Sequence, residues 1–133
     1  EVTPVLRHGQ TMAIRHFNEA SLFSGKIIAC LEREWKKNGN DGVKIKGRDY
    51  FDLIWFMSRR VKPNEKKLAR DAKKTYTMQS AMQALGKKIK LISKEDLLKD
   101  LQPFFPQPVF VEEWVKNFKE FFERYAAFYK TGA

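Results

Sequence analysis

The sequence predicts a mainly α-helical protein of the α+β class, arranged like a helical bundle, with one short β element near its N-terminus. After residue 19, apolar residues repeat at helical spacing over most of the chain. The segment Thr11–Phe17 instead alternates loosely between apolar and polar residues, as a short strand does. An apolar content of 43% in 133 residues is sufficient for a folded core and excludes a disordered chain. We therefore predict a β segment at residues 1–18 and a helical domain at residues 19–133.

The predicted β element needs a partner, because so short a strand is stable only when paired, and Pro4–Arg7 is the candidate. Asn18 is a favourable N-cap residue and predicts a helix from there to about Lys36. The first ten residues contain no capping signal, and we interpret the chain as a piece of a longer protein. The apolar residues of the first helix repeat at helical spacing: Phe23, Ile27, Leu31 and Trp35.

Lys26 is the unusual residue of that helix, because it lies in the otherwise uncharged stretch Leu22–Ala29. Two interpretations remain open from the sequence. Its stem covers apolar surface while the ammonium group reaches solvent, or the ammonium group is directed at a phosphate or a carboxylate.

A second helix, predicted at residues 48–60, has two acidic residues at the start of a strongly apolar sequence. Asp49 and Asp52 share one helical face, and the nearby helix N-terminus favours their ionised form. The polar loop at residues 37–46 can span up to about 33 Å, enough to return along the first helix and bring Asp49 to Lys26. A carboxylate at a core boundary needs a cation. The available cations are Lys26, Lys46 and Arg48.

Further helices are predicted at residues 64–74, 77–85, 93–101 and 111–129. Gly86 is expected to end the second of these, and Ser93 to cap the third. Prolines at positions 103, 106 and 108 indicate an irregular link before the last helix. That helix has an aromatic stripe, which favours core or interface packing. The stripe consists of Trp114, Phe118, Phe121, Phe122, Tyr125 and Phe128.

The formal net charge of +10 favours polyanionic partners such as nucleic acid or nucleotides, with a lysine-rich solubilising surface as the alternative. Eleven Lys and Arg residues against two acids lie between Arg59 and Lys90. Tyr76 is the single aromatic residue after Val61 in that stretch, which disfavours a base-stacking platform there.

Cys30 is the single cysteine, which excludes an internal disulfide and is typical of a buried thiol in a cytoplasmic protein. No apolar run approaches the roughly 18–20 residues that a membrane-spanning helix needs. His8 and His16 have no second His, Cys or acid at metal-ligand spacing, so the sequence predicts no metal site.

Two charged segments carry a family resemblance. The first is Leu-Phe-Ser-Gly-Lys at Leu22–Lys26, continuing to Arg33, and the second is Lys-Gly-Arg-Asp-Tyr-Phe-Asp-Leu at Lys46–Leu53. Together they resemble the AbiEii/AbiGii toxin family, nucleotidyltransferase-like proteins of abortive-infection and type IV toxin–antitoxin systems. The resemblance is strongest over Thr11–Arg60.

The resemblance implies transfer of a nucleotide from an NTP to an RNA or protein target, with Mg²⁺ and NTP bound in the full-length protein and a cognate antitoxin as a further partner. Lys26 would contact the phosphates and Asp49 would act as general base or orienting acid. The Gly-Ser motif and metal-binding aspartates of the family's N-terminal half are not found in this sequence. We therefore expect a C-terminal helical part of a larger nucleotidyltransferase, inactive alone, with residues 1–18 left from or pairing with its core. Catalytic roles are implied for Lys26, Asp49 and Asp52, and substrate-binding roles for Arg33, Lys46 and Arg48.

Two other hypotheses remain open. The chain is a stand-alone basic helical module that binds nucleic acid through phosphate contacts, or the charged cluster is only a buried salt-bridge hub. In the second case, removing one partner should unfold the domain, because stranding a buried charge costs about 3–5 kcal/mol.

Overall fold

The structure is a computed structural model that describes residues 8–33, 36–37, 43–44 and 46–130, with side chains described for 19–33 and 46–130. It confirms the mainly helical class. Two strands of two residues, β1 (Lys36–Lys37) and β2 (Val43–Lys44), pair antiparallel with Lys36 opposite Lys44. The helices are α1 (His8–Glu32), α2 (Gly47–Ser58), α3 (Glu65–Asp71), α4 (Met78–Lys90), α5 (Lys94–Leu101) and α6 (Pro108–Lys130), with a 3₁₀ turn at Gln102–Phe104.

The predicted strand at Thr11–Phe17 is wrong, because α1 runs without interruption from His8 to Glu32. Asn18 therefore lies inside a helix and not at its cap. Extending an existing helix adds one hydrogen bond per residue without a new nucleation cost, whereas an isolated short strand has no such gain. The proposed partner strand Pro4–Arg7 lies outside the described residues, as does Trp35 beyond the end of α1.

Helix α2 begins one residue before its predicted start and ends two residues before its predicted end. Its last turn closes with two bonds, from the Arg60 N–H to the Met57 carbonyl and from the Val61 N–H to the Phe56 carbonyl. Arg60 has a φ of 57°, so the chain leaves the helix through a left-handed residue. This pattern is a Schellman motif, and it ends α2 before Pro63 is reached.

The start of three helices is fixed by local capping, which the sequence predicts for Ser93. The side chains of Asn64, Thr77 and Ser93 accept hydrogen bonds from the backbone of α3, α4 and α5. Gly86, however, does not end α4, which continues to Lys90. A C-cap glycine acts only where the chain turns left-handed, and here the buried Ile89 keeps the next turn packed in the core.

The core lies where α6 crosses α2, α4 and α5, and where α1 packs on α2, α3 and α4. The aromatic stripe of α6 packs into it, which confirms that prediction: Phe118 and Phe122 are buried, and the other stripe residues pack partly buried against the core. No helix in the described part of the chain is long and apolar enough to cross a membrane. The largest fully buried side chains are Tyr50, Tyr129, Phe23, Phe118, Ile27, Leu53, Met57, Leu68, Met82, Leu85, Leu97 and Leu101.

Candidate functional site

The contact between Lys26 and Asp49, which the sequence permits without requiring it, is present. Because α2 packs against α1, the Lys26 ammonium group on α1 lies 3.0 Å from Asp49 Oδ1 and 3.3 Å from Asp52 Oδ2. Lys26 therefore joins two acidic residues that lie on one face of α2, one turn apart. Of the two interpretations of Lys26, the one directed at a carboxylate is the arrangement observed.

A second cation, from the residue that directly follows α1, reaches the same carboxylate. Arg33 Nε lies 3.1 Å from Asp49 Oδ2, yet Oδ2 is buried and accepts no hydrogen bond from the described residues. The pair is thus an electrostatic contact in which the guanidinium N–H is not aimed at the oxygen. A buried acceptor without a hydrogen bond is costly, and the charge of Arg33 offsets part of that cost.

The N-terminus of α2 is held by a residue that sequence reasoning missed. Lys46, at the N-cap, makes no side-chain capping bond, and instead the Gly47 N–H donates to Asp100 Oδ2 on α5 at 2.6 Å. The approach is so close that a Cβ on Gly47 would lie 2.9 Å from Asp100 Oδ2 and 3.1 Å from Leu101 Cγ. Glycine is required here by this contact, and no local motif could have revealed a cap from 53 residues away.

The two remaining predicted residues lie at the exposed rim. Arg48 places its guanidinium carbon 4.1 Å from the centre of the Phe104 ring, and Phe104 is itself 49% exposed. Lys46 and Arg48 have no carboxylate within ion-pair distance in the described part of the chain. Arg48 thus does not serve as the cation for Asp49, and Arg33 takes that place.

These side chains line a single cleft of about 480 Å³, which we call the α2 cleft. Four cations and three carboxylates border it, together with one aromatic ring. All six residues that the sequence indicated lie in it, and the additions are Asp100 and Phe104. The lining residues are Lys26, Arg33, Lys46, Arg48, Asp49, Asp52, Asp100 and Phe104.

Electrostatics keep the Lys26 ammonium group charged. Burial alone lowers the pKa of Lys26, but the hydrogen bond and the charge of Asp49, with the charge of Asp52, outweigh it and leave the pKa above its ordinary value. Beneath the cleft, complete burial raises the pKa of the Cys30 thiol, so Cys30 is a structural residue, as the sequence indicated.

Mg²⁺ does not fit this donor set. Asp49 and Asp52 are both engaged by Lys26, and Asp100 is engaged by the Gly47 N–H. The Lys26 and Arg33 charges lie within 3.3 Å of the α2 carboxylates and would repel a divalent cation at the same oxygens. The described residues contain no group of three or more His, Cys, Asp or Glu side chains able to hold a metal ion.

The comparison with protein families gives a match over nearly the whole chain. The family described as "Nucleotidyl transferase AbiEii toxin, Type IV TA system" matches residues 1–131. Neither the curated proteins nor the solved structures contain a match to this chain. Since the family match covers nearly the whole sequence, the chain belongs to the AbiEii family of nucleotidyl transferase toxins of type IV toxin–antitoxin systems.

Proposed function

We propose that the α2 cleft is the nucleotide-binding part of a nucleotidyltransferase site, and that the toxin transfers a nucleotide from an NTP to an RNA or protein target. One observation carries the proposal. The six residues implied by the family resemblance come from α1, the residue after it, the N-cap of α2 and α2 itself, and they line one cleft. The proposal also takes in the cognate antitoxin as a regulatory partner, in keeping with the type IV toxin–antitoxin family.

The cations of the cleft suit an NTP's phosphates. Lys46 and Arg48 are exposed at the rim, and Arg33 is 48% exposed, so these charges are accessible to a ligand. Nucleotidyl transfer develops negative charge on the transferred phosphate, and fixed cations stabilise that charge. Lys26 is held more rigidly, since two carboxylates fix its ammonium group.

Asp49 is suited to the role of general base. Its Oδ2 is buried and accepts no hydrogen bond from the described residues, and the half-exposed Arg33 lies 3.1 Å from it. When Arg33 turns to bind a phosphate, Oδ2 is left free to accept the proton of an attacking hydroxyl. Asp52, which contacts Lys26 from the next turn, would orient the ammonium group without touching the substrate.

Mg²⁺ would supply charge neutralisation at the phosphates in such a reaction. The carboxylates of the cleft are committed to cations and to the Gly47 N–H, so we propose that the metal ligands come from a part of the toxin outside these 133 residues. The purified 133-residue chain should accordingly transfer no nucleotide from labelled NTP to RNA or protein. Transfer by this chain alone would contradict that part of the proposal.

The activity test compares cleft variants with matched surface variants in the complete toxin. Lys26→Met and Asp49→Asn should abolish growth arrest and nucleotide transfer. Lys66→Met and Asp71→Asn, which change exposed side chains of α3, should leave both intact. Thermal unfolding of each variant shows whether it still folds. Full activity of a folded Lys26→Met or Asp49→Asn variant would overturn the proposal, whereas unfolding of both would favour the salt-bridge hub.

A second candidate function rests on the basic surface. Between Arg59 and Lys90, most of the eleven cationic side chains are exposed, which suits phosphate contacts along a nucleic acid. Binding to duplex nucleic acid that weakens steeply with salt, and that ignores Lys26→Met and Asp49→Asn, would favour this module over the cleft.

A further inference from the structure

We infer that the Arg48–Phe104 end of the α2 cleft is a nucleobase subsite, so that the cleft takes a whole nucleotide and not only its phosphates. This rests on the proposed function of the cleft and assigns a role to Phe104, which no motif indicated. It also moves Arg48 from phosphate binding to base binding.

Arg48 and Phe104 form a contact pair at one end of the cleft. The Arg48 guanidinium lies 4.1 Å from the centre of the Phe104 ring. A guanidinium plane and a phenyl ring are both flat surfaces on which a nucleobase stacks, and stacking accepts any base because every base has a π face. Phe104 is 49% exposed and Arg48 is exposed, so a base can reach this pair from the cleft.

The backbone segments that carry Arg48 and Phe104 are joined by a hydrogen bond. Asp100 accepts the Gly47 N–H at 2.6 Å, which joins the start of α2 to the end of α5. Arg48 follows Gly47 directly, and Phe104 lies four residues after Asp100 in the 3₁₀ turn. This contact holds together the two backbone segments that carry the pair, and such preorganisation lowers the entropy lost when a ligand binds.

The cleft has two chemically different parts, one charged and one aromatic. Lys26 and Arg33 lie with the two α2 carboxylates, while Arg48 and Phe104 supply the aromatic part. A nucleotide has the same division between charged phosphates and a flat apolar base. The volume of about 480 Å³ lies within the usual ~300–1,000 Å³ of small-molecule sites. A bare phosphate ligand would have no use for the aromatic part.

The test measures binding of two probes, ATP and inorganic tripolyphosphate, to the 133-residue chain by calorimetry. Phe104→Ala should weaken ATP binding about tenfold, since stacking on an aromatic side chain contributes that order of affinity. Binding of tripolyphosphate, which has no base, should not change. Phe104→Tyr keeps a ring and should restore ATP affinity. Phe110→Ala is the matched control, because Phe110 is 46% exposed and lies outside the cleft lining.

The outcomes separate this inference from the function on which it rests. If Lys26→Met weakens both probes but Phe104→Ala weakens neither, or weakens both equally, the base subsite is overturned and the phosphate site stands. If the chain binds neither probe, or if Lys26→Met changes neither affinity, both proposals are overturned. Selective loss of ATP affinity in Phe104→Ala, with rescue in Phe104→Tyr, supports the subsite.

Discussion

Helix α2 is tied to α1 by ion pairs at both of its ends, and the two ends differ in construction. At the N-terminal end, which we call the head, Lys26 of α1 pairs with Asp49 and Asp52 of α2, and Arg33, just after α1, pairs with Asp49. At the C-terminal end, the tail, the charges are reversed: Glu19 of α1 lies 3.4 Å from the Arg59 guanidinium. Both arrangements place charge of the favourable sign at the helix terminus.

The tail is packed against an aromatic side chain, whereas the head opens into the α2 cleft. Arg59 stacks on Trp55 at 4.7 Å, and Glu19 is only 8% exposed. At the head, Lys46 and Arg48 add cations that pair with no carboxylate in the described residues, and Asp49 Oδ2 accepts no hydrogen bond there. At the tail, one ion pair is enough to join α1 and α2. The head contains more charged residues than this, and we infer that the additional ones bind a ligand.

The largest effect is expected from Gly47→Ala, which disturbs the packing of the head. The new Cβ would lie 2.9 Å from Asp100 Oδ2 and 3.2 Å from Leu97 Cδ1. Overpacking of this kind costs typically about 1–3 kcal/mol, and the capping bond to Asp100 is also strained. Urea unfolding should show a loss of about 2–3 kcal/mol in the free energy of unfolding.

Gly25→Ala is the matched control for this loss. Gly25 is in the interior of α1, and its added Cβ would meet nothing closer than Lys67 Cε at 3.8 Å. Removing a glycine from a helix interior stabilises by roughly 0.5–1 kcal/mol. The two glycines should thus shift stability in opposite directions, and equal effects would contradict the steric explanation.

The sequence predicts most of the helices correctly, but it fails for one strand and one helix end. Helical spacing and local caps such as Ser93 predicted most of the helices, because the information lies within one turn of each terminus. The strand at Thr11–Phe17 was predicted wrongly, since a loose alternation competes poorly with continuation of a helix. Gly86 was read as a helix end, although nothing in its environment turns the chain.

The same division applies to the site. The sequence indicated Lys26 and Asp49 because a carboxylate at a core boundary needs a cation and the loop length permits their contact, and the family resemblance implied their roles. Asp100 and Phe104 were missed because their roles depend on α5 packing across the start of α2. A distant cap leaves no local signal.

Asp49→Asn should strengthen polyanion binding while it abolishes nucleotide transfer. The same change at the tail should affect neither, so the two ends of α2 can be distinguished by ligand binding. Removing this charge frees Lys26 and Arg33 for a phosphate. Tripolyphosphate affinity of the chain should rise about tenfold. In free energy this is a small part of the several kcal/mol by which two charges about 4 Å apart interact at intermediate dielectric. Calorimetry checks the change. Glu19→Gln removes the same charge at the tail and should leave the affinity unaltered; a rise in both variants would indicate a general charge effect.

Arg59→Met should destabilise the chain by about 1 kcal/mol without altering nucleotide binding. The pair with Glu19 is half exposed on the arginine side, so its contribution lies between that of surface and buried pairs. Part of the loss comes from the stacking on Trp55. Urea unfolding measures the first effect and ATP calorimetry the second. A weakened ATP affinity would mean that the tail affects ligand binding in the cleft and that the two ends of α2 do not act independently.

The smallest expected effect is a pH dependence confined to the head, measured as the stability difference between the natural chain and Lys26→Met. The pKa of Lys26 is raised above its ordinary 10.5, so the folded chain holds this proton more tightly than the unfolded chain does. The contribution is therefore fully present below 10.5 and is lost as the pH rises through the folded value. The stability difference should be constant from neutral pH upward and shrink only above 10.5.

The tail gives the control for this titration. The difference between the natural chain and Arg59→Met should remain constant over the same range, because guanidinium groups stay protonated. Burial also raises the pKa of Tyr129, whose hydroxyl donates to the Val61 carbonyl, but that residue is common to all variants and cancels in each difference. A difference for Lys26→Met that fell already near neutral pH would mean that the ammonium group loses its proton within the cleft. Its bonds to Asp49 and Asp52 would then be too weak to outweigh burial, and Lys26 would enter the reaction as a neutral amine, not as the cation that the phosphate site requires.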